Sequence, residues 1–210
     1  MVSELRKRFV FVGEMFRESK QVGAFSSSSK AVAEALARPI VRDGRPLRVL
    51  EAGAGTGQIS KSIIRRMGPG DRVRLLEINP RMVRVLEEKF ASPGGERGPE
   101  VIVDQRDIAL LPADEHYDVI VSSLPLLNFE PEMVRRVFEL FMSRLAPGGT
   151  LSYYDYWGKE VRAYIATGRE RRRLREVIRV TREFCEAYEV AMRVIPWNFT
   201  PARVHYLRRA

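Results

Sequence analysis

The densest chemistry in the sequence lies between Val49 and Ser60, "VLEAGAGTGQIS", where Gly53, Gly55 and Gly57 follow the carboxylate of Glu51. A glycine-rich turn between a strand and a helix lets backbone amides approach a ligand closely. Two features select the ligand. A dinucleotide turn would need glycine where this chain has Gln58, and a carboxylate at Glu51 repels a pyrophosphate but suits a cation. Glu77 stands 20 residues beyond Gly57, the distance at which an acid reaches ribose hydroxyls. The pair describes a nucleoside that carries positive charge in place of phosphates.

Other chemistry is sparse. The one cysteine, Cys185, excludes an internal disulfide framework and a cysteine cluster for zinc, and it reads as a small buried hydrophobe in a chain suited to a reducing cytoplasm. His116, in a polar loop, and His205, in the last strand, read as structural. No Ser/His/Asp or Cys/His arrangement is spelled out, and no metal site. What remains is chemistry driven by position and orientation.

These residues need a scaffold, and the hydrophobic pattern supplies one. Apolar runs at Leu47–Ala52, Arg72–Ile78, Val101–Asp104, Tyr117–Ser123 and Thr150–Tyr156 alternate with helical patterns to about Met67, over Pro80–Phe90 and over Pro131–Leu145. Alternation of this kind predicts right-handed crossovers and a doubly wound, mostly parallel α/β sheet. Val190–Trp197 and Ala202–Arg208 are too close for a crossover helix and are expected to pair as an antiparallel hairpin. Ser92–Pro99, "SPGGERGP", reads as a surface turn. With 210 residues and 45% hydrophobic content, a single domain over 1–210 is expected.

Charge narrows the partners. A net charge of +9 favours polyanions, either nucleic acid or an anionic membrane face. Cations gather at Arg6, Lys7 and Arg8 and again from Arg169 to Arg182, both at helical spacing. In the first group Leu5, Phe9, Val12 and Phe16 share one face, which suits a helix lying on a membrane or docked on the core; in the second, Leu174, Ile178 and Cys185 do. No run reaches the roughly 18 apolar residues that a spanning helix needs. The segment 1–24 is therefore read as an amphipathic cover or membrane element, and 25–210 as a catalytic core. Ser28 or Ser29 can cap the helix "KAVAEALA" that follows.

As a set, these motifs resemble the class I methyltransferases that use S-adenosylmethionine, with their Rossmann-like fold. "EAGAGTG" is similar to the family's first motif, and Glu77 to its ribose-binding acid. Asp107 in "RDI" matches the residue that reads the adenine amino group, and "DVIVSSLP" the fourth strand leading to the methyl donor. The resemblance implies cofactor contacts from Glu51, Gly53, Gly55, Gly57, Glu77, Ile78, Asp107, Ile108 and Ser122.

Three further stretches, "ESKQVGAFSSSS" from Glu18, "SSLPLLNF" from Ser122 and "FTPARVHYLRR" from Phe199, resemble bacterial phospholipid N-methyltransferases. Glu18 and Ser27 stand where that family has Ser or Pro. The implied reaction is stepwise methylation of phosphatidylethanolamine toward phosphatidylcholine, with S-adenosylhomocysteine as product, by a peripheral protein on the inner face of the membrane. Lys20 and Arg203 are then candidates for the headgroup phosphate. Carbonyls from Ser122 to Pro125, together with Phe25, are candidates for holding the methylated ammonium. Tyr154 or Tyr156, on one face of a strand, or Tyr153 on the other, can take the amine proton, as can water. A rival is an RNA methyltransferase related to the ribosomal RNA adenine dimethylases. The asparagine and tyrosine that would hold a flipped base there are Ser123 and Leu126 here. Small-molecule methyl acceptors form a third class, and no obligate protein partner is implied.

Overall fold

The structure, a computed structural model, describes residues 30–96, 98–196 and 201–209. The amphipathic segment expected over 1–24 and the caps at Ser28 and Ser29 lie outside the described residues.

Helix α1, Lys30–Leu36, leads to β1, Arg48–Ala52, α2, Ser60–Ile64, β2, Arg72–Leu76, and α3, Pro80–Phe90. Strands β3, Ser92–Gly95, β4, Gly98–Asp104, and β5, Tyr117–Ser122, precede α4, Pro131–Arg144, and β6, Leu145–Tyr156. Helices α5, Lys159–Ile165, and α6, Gly168–Tyr188, come before the closing strands β7, Glu189–Ile195, and β8, Ala202–Arg208. All eight strands join one sheet in the order β3-β4-β2-β1-β5-β6-β8-β7. From β4 across to β6 the neighbours run parallel; β3, β8 and β7 run antiparallel to theirs. This is a Rossmann-like doubly wound sheet with a C-terminal antiparallel hairpin.

Two differences from the sequence pattern have physical reasons. Ser92–Gly95, expected as a turn only, is an edge strand, with Ser92 opposite Val101 and Gly95 opposite Gly98. Glycine and proline depress strand propensity, but an edge strand pairs on one side and tolerates them. Helix α5 is seven residues long, too short to show a clear period.

Burial explains the rest. The central strand β1 is apolar on both faces because helices cover both, so Val49 and Leu50 are each fully buried although they point opposite ways. Leu50 joins Phe138, Phe141, Leu151 and Val177 beneath α4 and α6. Val49 joins Leu36, Ile63, Leu75 and Leu86 beneath α1, α2 and α3. Two buried hydroxyls pin α1 to the sheet: Ser152 Oγ donates to the Leu36 carbonyl and Tyr206 Oη to that of Ala35, each at 2.7 Å. Helix α3 starts where Asn79 Oδ1 accepts from the Arg81 amide at 3.0 Å, with Pro80 at its first position. No helix among the described residues is long and apolar enough to cross a membrane.

Candidate active site

The carboxyl ends of β1, β2 and β5 meet around a cleft. Parallel strands end together here, and the crossover helices leave from the same edge, so the loops between them line the opening. Of the nine residues that the resemblance implies as cofactor contacts, Gly53, Glu77, Ile78, Asp107 and Ile108 line it, and Glu51, Gly55, Gly57 and Ser122 do not.

The turn after β1 is locked from both sides. The amides of Gly53 and Ala54 donate to the Leu76 carbonyl, each at 2.9 Å, and Ser123 Oγ donates to the Gly53 carbonyl at 2.6 Å. Gly53 and Gly57 adopt φ of 82° and 86°, a region that side chains disfavour. Space adds a second requirement: a Cβ on Gly57 would stand 2.2 Å from the Phe90 ring, and one on Gly53 would stand 3.0 Å from Leu124. Glycine is thus demanded here by backbone angle and by packing together.

Three carboxyls surround this turn in different states. Glu77, buried at the end of β2, accepts the Gly55 amide at 2.8 Å on one oxygen and those of Ile78 and Asn79 at 2.9 and 2.8 Å on the other. It clasps the glycine turn to the neighbouring strand. Glu51 has no exposed surface; one oxygen accepts from Ser60 Oγ at 2.6 Å, and the other has no partner among the described residues. Burial, and secondarily the charge of Glu77, push its pKa up to about 8 against the opposing Ser60 bond. Asp107 accepts the Ala109 amide at 2.9 Å, while its second oxygen, also buried, has no partner among the described residues. Burial raises its pKa, and the Ala109 bond lowers it in part.

Buried acceptors without donors cost free energy unless a ligand supplies the donors. Glu51 wants a cation or proton, and Asp107 wants an N–H or O–H. An adenine amino group and a positively charged side chain meet those needs. The site fits S-adenosylmethionine.

Sequence reasoning missed the apolar wall of the cleft. Leu124, Phe129, Met133 and Val137 complete it. The spacing of four between Phe129, Met133 and Val137 is the signal in the sequence, and it is also the spacing of ordinary helical core.

The other expected residues fall elsewhere. Ser122 is buried at the end of β5, its Oγ accepting the Leu124 amide at 3.4 Å, and the Pro125 carbonyl accepts the Asn128 amide at 2.8 Å. Tyr154 and Tyr156 are half-buried on one face of β6, edge to face at 5.5 Å, and neither lines the cleft. Burial, then Tyr154, pushes the Tyr156 phenol well up, so it keeps its proton at neutral pH. Tyr153 lies on the opposite face, stacked on His205 at 4.8 Å. Arg203 is held by Asp155 at 2.9 Å and Glu160 at 3.0 Å, and so turns much of its guanidinium inward. Cys185 is half-buried beside Tyr153 Oη at 3.1 Å, more exposed than a purely apolar role predicts. Lys20 and Phe25 lie outside the described residues.

A family model described as "Methyltransferase domain" matches residues 49–149. Ornithine lipid N-methyltransferase of Singulisphaera acidiphila is 34% identical over 69% of this chain and 75% of its own length. The chain is a class I S-adenosylmethionine-dependent methyltransferase. Beyond the ornithine lipid enzyme, the methyltransferase matches the malonyl-[acyl-carrier protein] O-methyltransferase 1 of Ilyobacter polytropus at 26% identity, over 72% of this chain and 54% of that one. Among solved structures, the N-methyltransferase NodS of Bradyrhizobium japonicum WM9 with S-adenosyl-L-homocysteine superposes with a TM-score of 0.63 and 17% identity, covering 89% of this chain and 91% of that one. That likeness is one of fold. In this methyltransferase the cleft lined by Glu77 and Asp107 opens beside the glycine turn.

Proposed function

We propose that this methyltransferase acts on the amine of a membrane lipid, converting phosphatidylethanolamine through its monomethyl and dimethyl forms toward phosphatidylcholine. The observation that carries the reading is its 34% identity to a protein named as an ornithine lipid N-methyltransferase. The "SSLPLLNF" and "FTPARVHYLRR" stretches and the net charge of +9 support it. When bound, S-adenosylmethionine supplies a methyl group on a sulfonium, open to direct displacement by a nitrogen lone pair.

The chain's residues then have four tasks. Glu77 and Asp107 orient the nucleoside end, and Glu51 favours a cation behind the glycine turn. Carbonyls from Ser122 to Pro125, with Phe25, receive the amine and its growing positive charge. Lys20 and Arg203 face the headgroup phosphate, Arg203 through the donors that its two carboxylates leave over. The ammonium loses one proton before each transfer. Tyr154 and Tyr156 do not line the cleft and Tyr156 keeps its own phenolic proton, so water takes the amine proton.

A second reading is methylation of ornithine lipid, which the same relative favours; it too offers an amine on an acylated lipid. A radiolabelled methyl-transfer assay should offer phosphatidylethanolamine, its monomethyl and dimethyl forms, ornithine lipid and total RNA to one preparation. Label in phosphatidylethanolamine and its products supports the first reading, and label confined to ornithine lipid supports the second. Label in RNA alone overturns both.

A further inference from the structure

The surface beside the cleft carries a feature that catalysis leaves unused. After β6 the chain turns through Trp157 into α5, and there Trp157, Tyr164 and Ile165 are 58, 74 and 69% exposed. Such side chains lose free energy in water, and here three of them are grouped by one turn and one short helix. The inner side of α5 is small and buried: Ala163 packs on Leu174 and Ile178 of α6 and on Leu127. Leu127 belongs to the same segment after β5 as Leu124 and Phe129, which wall the cleft. The exposed group therefore stands on the sheet edge where the site opens.

Its surroundings are basic. From Lys159 to Arg175 there are seven cations and two carboxylates. Lys159 is turned inward to Asp155, and the exposed Glu160 pairs with Arg203. Arg171 caps the end of α5, donating to the Ala166 and Tyr164 carbonyls at 2.6 and 3.0 Å. Arg169 and Arg172 are exposed and form no ion pair among the described residues. Exposed aromatic and aliphatic side chains ringed by uncommitted arginines match an anionic bilayer surface, where rings settle among headgroups and guanidinium groups meet phosphates.

We propose that Trp157 and α5 form a lipid-docking element: Trp157, Tyr164 and Ile165 enter the headgroup layer of an anionic membrane, and Arg169 and Arg172 bind its phosphates. This rests on the lipid-substrate reading and deepens it, because docking there turns the mouth of the cleft toward the lipid amine.

The test uses the full chain carrying Trp197→Phe, which leaves Trp157 as the single tryptophan, and vesicles of phosphatidylcholine with or without phosphatidylglycerol. Addition of the mixed vesicles should shift Trp157 emission to the blue. Tyr164→Ser with Ile165→Ser should lower vesicle partitioning at least tenfold, and Arg169→Ser with Arg172→Ser about fivefold per arginine at low salt. S-adenosylmethionine affinity, read by calorimetry, should not move in either variant. Unchanged partitioning of the Tyr164/Ile165 variant, or stationary Trp157 emission, overturns the proposal. So does a vesicle-free dimer that this variant dissociates, which would assign the patch to a second copy. If no lipid amine accepts methyl label but partitioning still falls, the substrate reading fails and the docking element stands.

Discussion

Replacing Glu51 with glutamine keeps the volume of a fully buried side chain and removes its titration. Burial first, then the nearby Glu77 charge, raises the Glu51 pKa from 4.5 to about 8, against the Ser60 hydrogen bond. A carboxyl with a folded pKa above its unfolded one holds its proton longer in the folded state. Its full contribution to stability is present below the unfolded value and is lost as pH rises through the folded one. At about 1.4 kcal/mol per pH unit, the loss between those two values approaches about 5 kcal/mol. Glu51→Gln has no such loss. Urea unfolding of both proteins at intervals from acid to alkaline pH should therefore give a difference that grows in favour of the variant as pH rises, whereas His205 affects both alike and cancels. Parallel stability curves would refute the reasoning. Calorimetry supplies a second check. Wild-type S-adenosylmethionine binding at neutral pH should release protons, seen as a dependence of the heat on the buffer, and Glu51→Gln should bind more weakly without that release.

The other carboxylates and the glycine turn make separate predictions. Glu77→Ala deprives the Gly55, Ile78 and Asn79 amides of their acceptor. It should cost about 2–4 kcal/mol in denaturant unfolding and weaken S-adenosylmethionine at least a hundredfold in calorimetry; unchanged affinity would remove Glu77 from the cofactor site. Gly57→Ala puts a Cβ 2.2 Å from Phe90 at a φ of 86°. An unfolding loss of about 2–4 kcal/mol is expected, with part of it returned by Phe90→Leu, and a neutral result would contradict the packing. In His205, burial lowers the pKa, but bonds to Asp155, Cys185 and Glu189 outweigh it and raise the value to about 10. Its contribution to stability is thus present below the ordinary histidine value and lost as pH rises through about 10. The imidazole C2 proton should not titrate by NMR near neutrality, and a midpoint near the ordinary value would disprove the ion pair. Asp155→Asn should bring that midpoint down.

Much of the cofactor site could be read along the chain because it is local. Gly53, Gly55 and Gly57 lie on one turn, and their chemistry follows from backbone freedom within a few residues. Glu77 and Asp107 sit at strand ends, and parallel strands of similar length bring such ends together. The apolar wall was less legible: Phe129, Met133 and Val137 carry the same periodicity as any packed helix, and only the neighbouring cleft separates lining from core. Asp155, Lys159, Arg203 and His205 were harder still, since β6 and β8 pair antiparallel across about 50 residues of sequence. Arg203 looked like a free cation until its neighbours Asp155 and Glu160 came into view.

The sequence by itself determined that the chain is an alternating α/β protein with a site for a cationic nucleoside. The alternation of apolar runs, the glycine spacing and the position of acids at strand ends are properties of short stretches, and short stretches are what sequence displays. Only the tertiary structure decided which polar atoms are satisfied. Glu51 and Asp107 each keep one buried oxygen without a donor among the described residues, whereas Glu77 has three donors. It also decided that Tyr164 and Ile165 face outward beside the cleft. Burial and hydrogen bonding depend on what the rest of the chain brings alongside a residue, and that is a long-range property which no local pattern encodes.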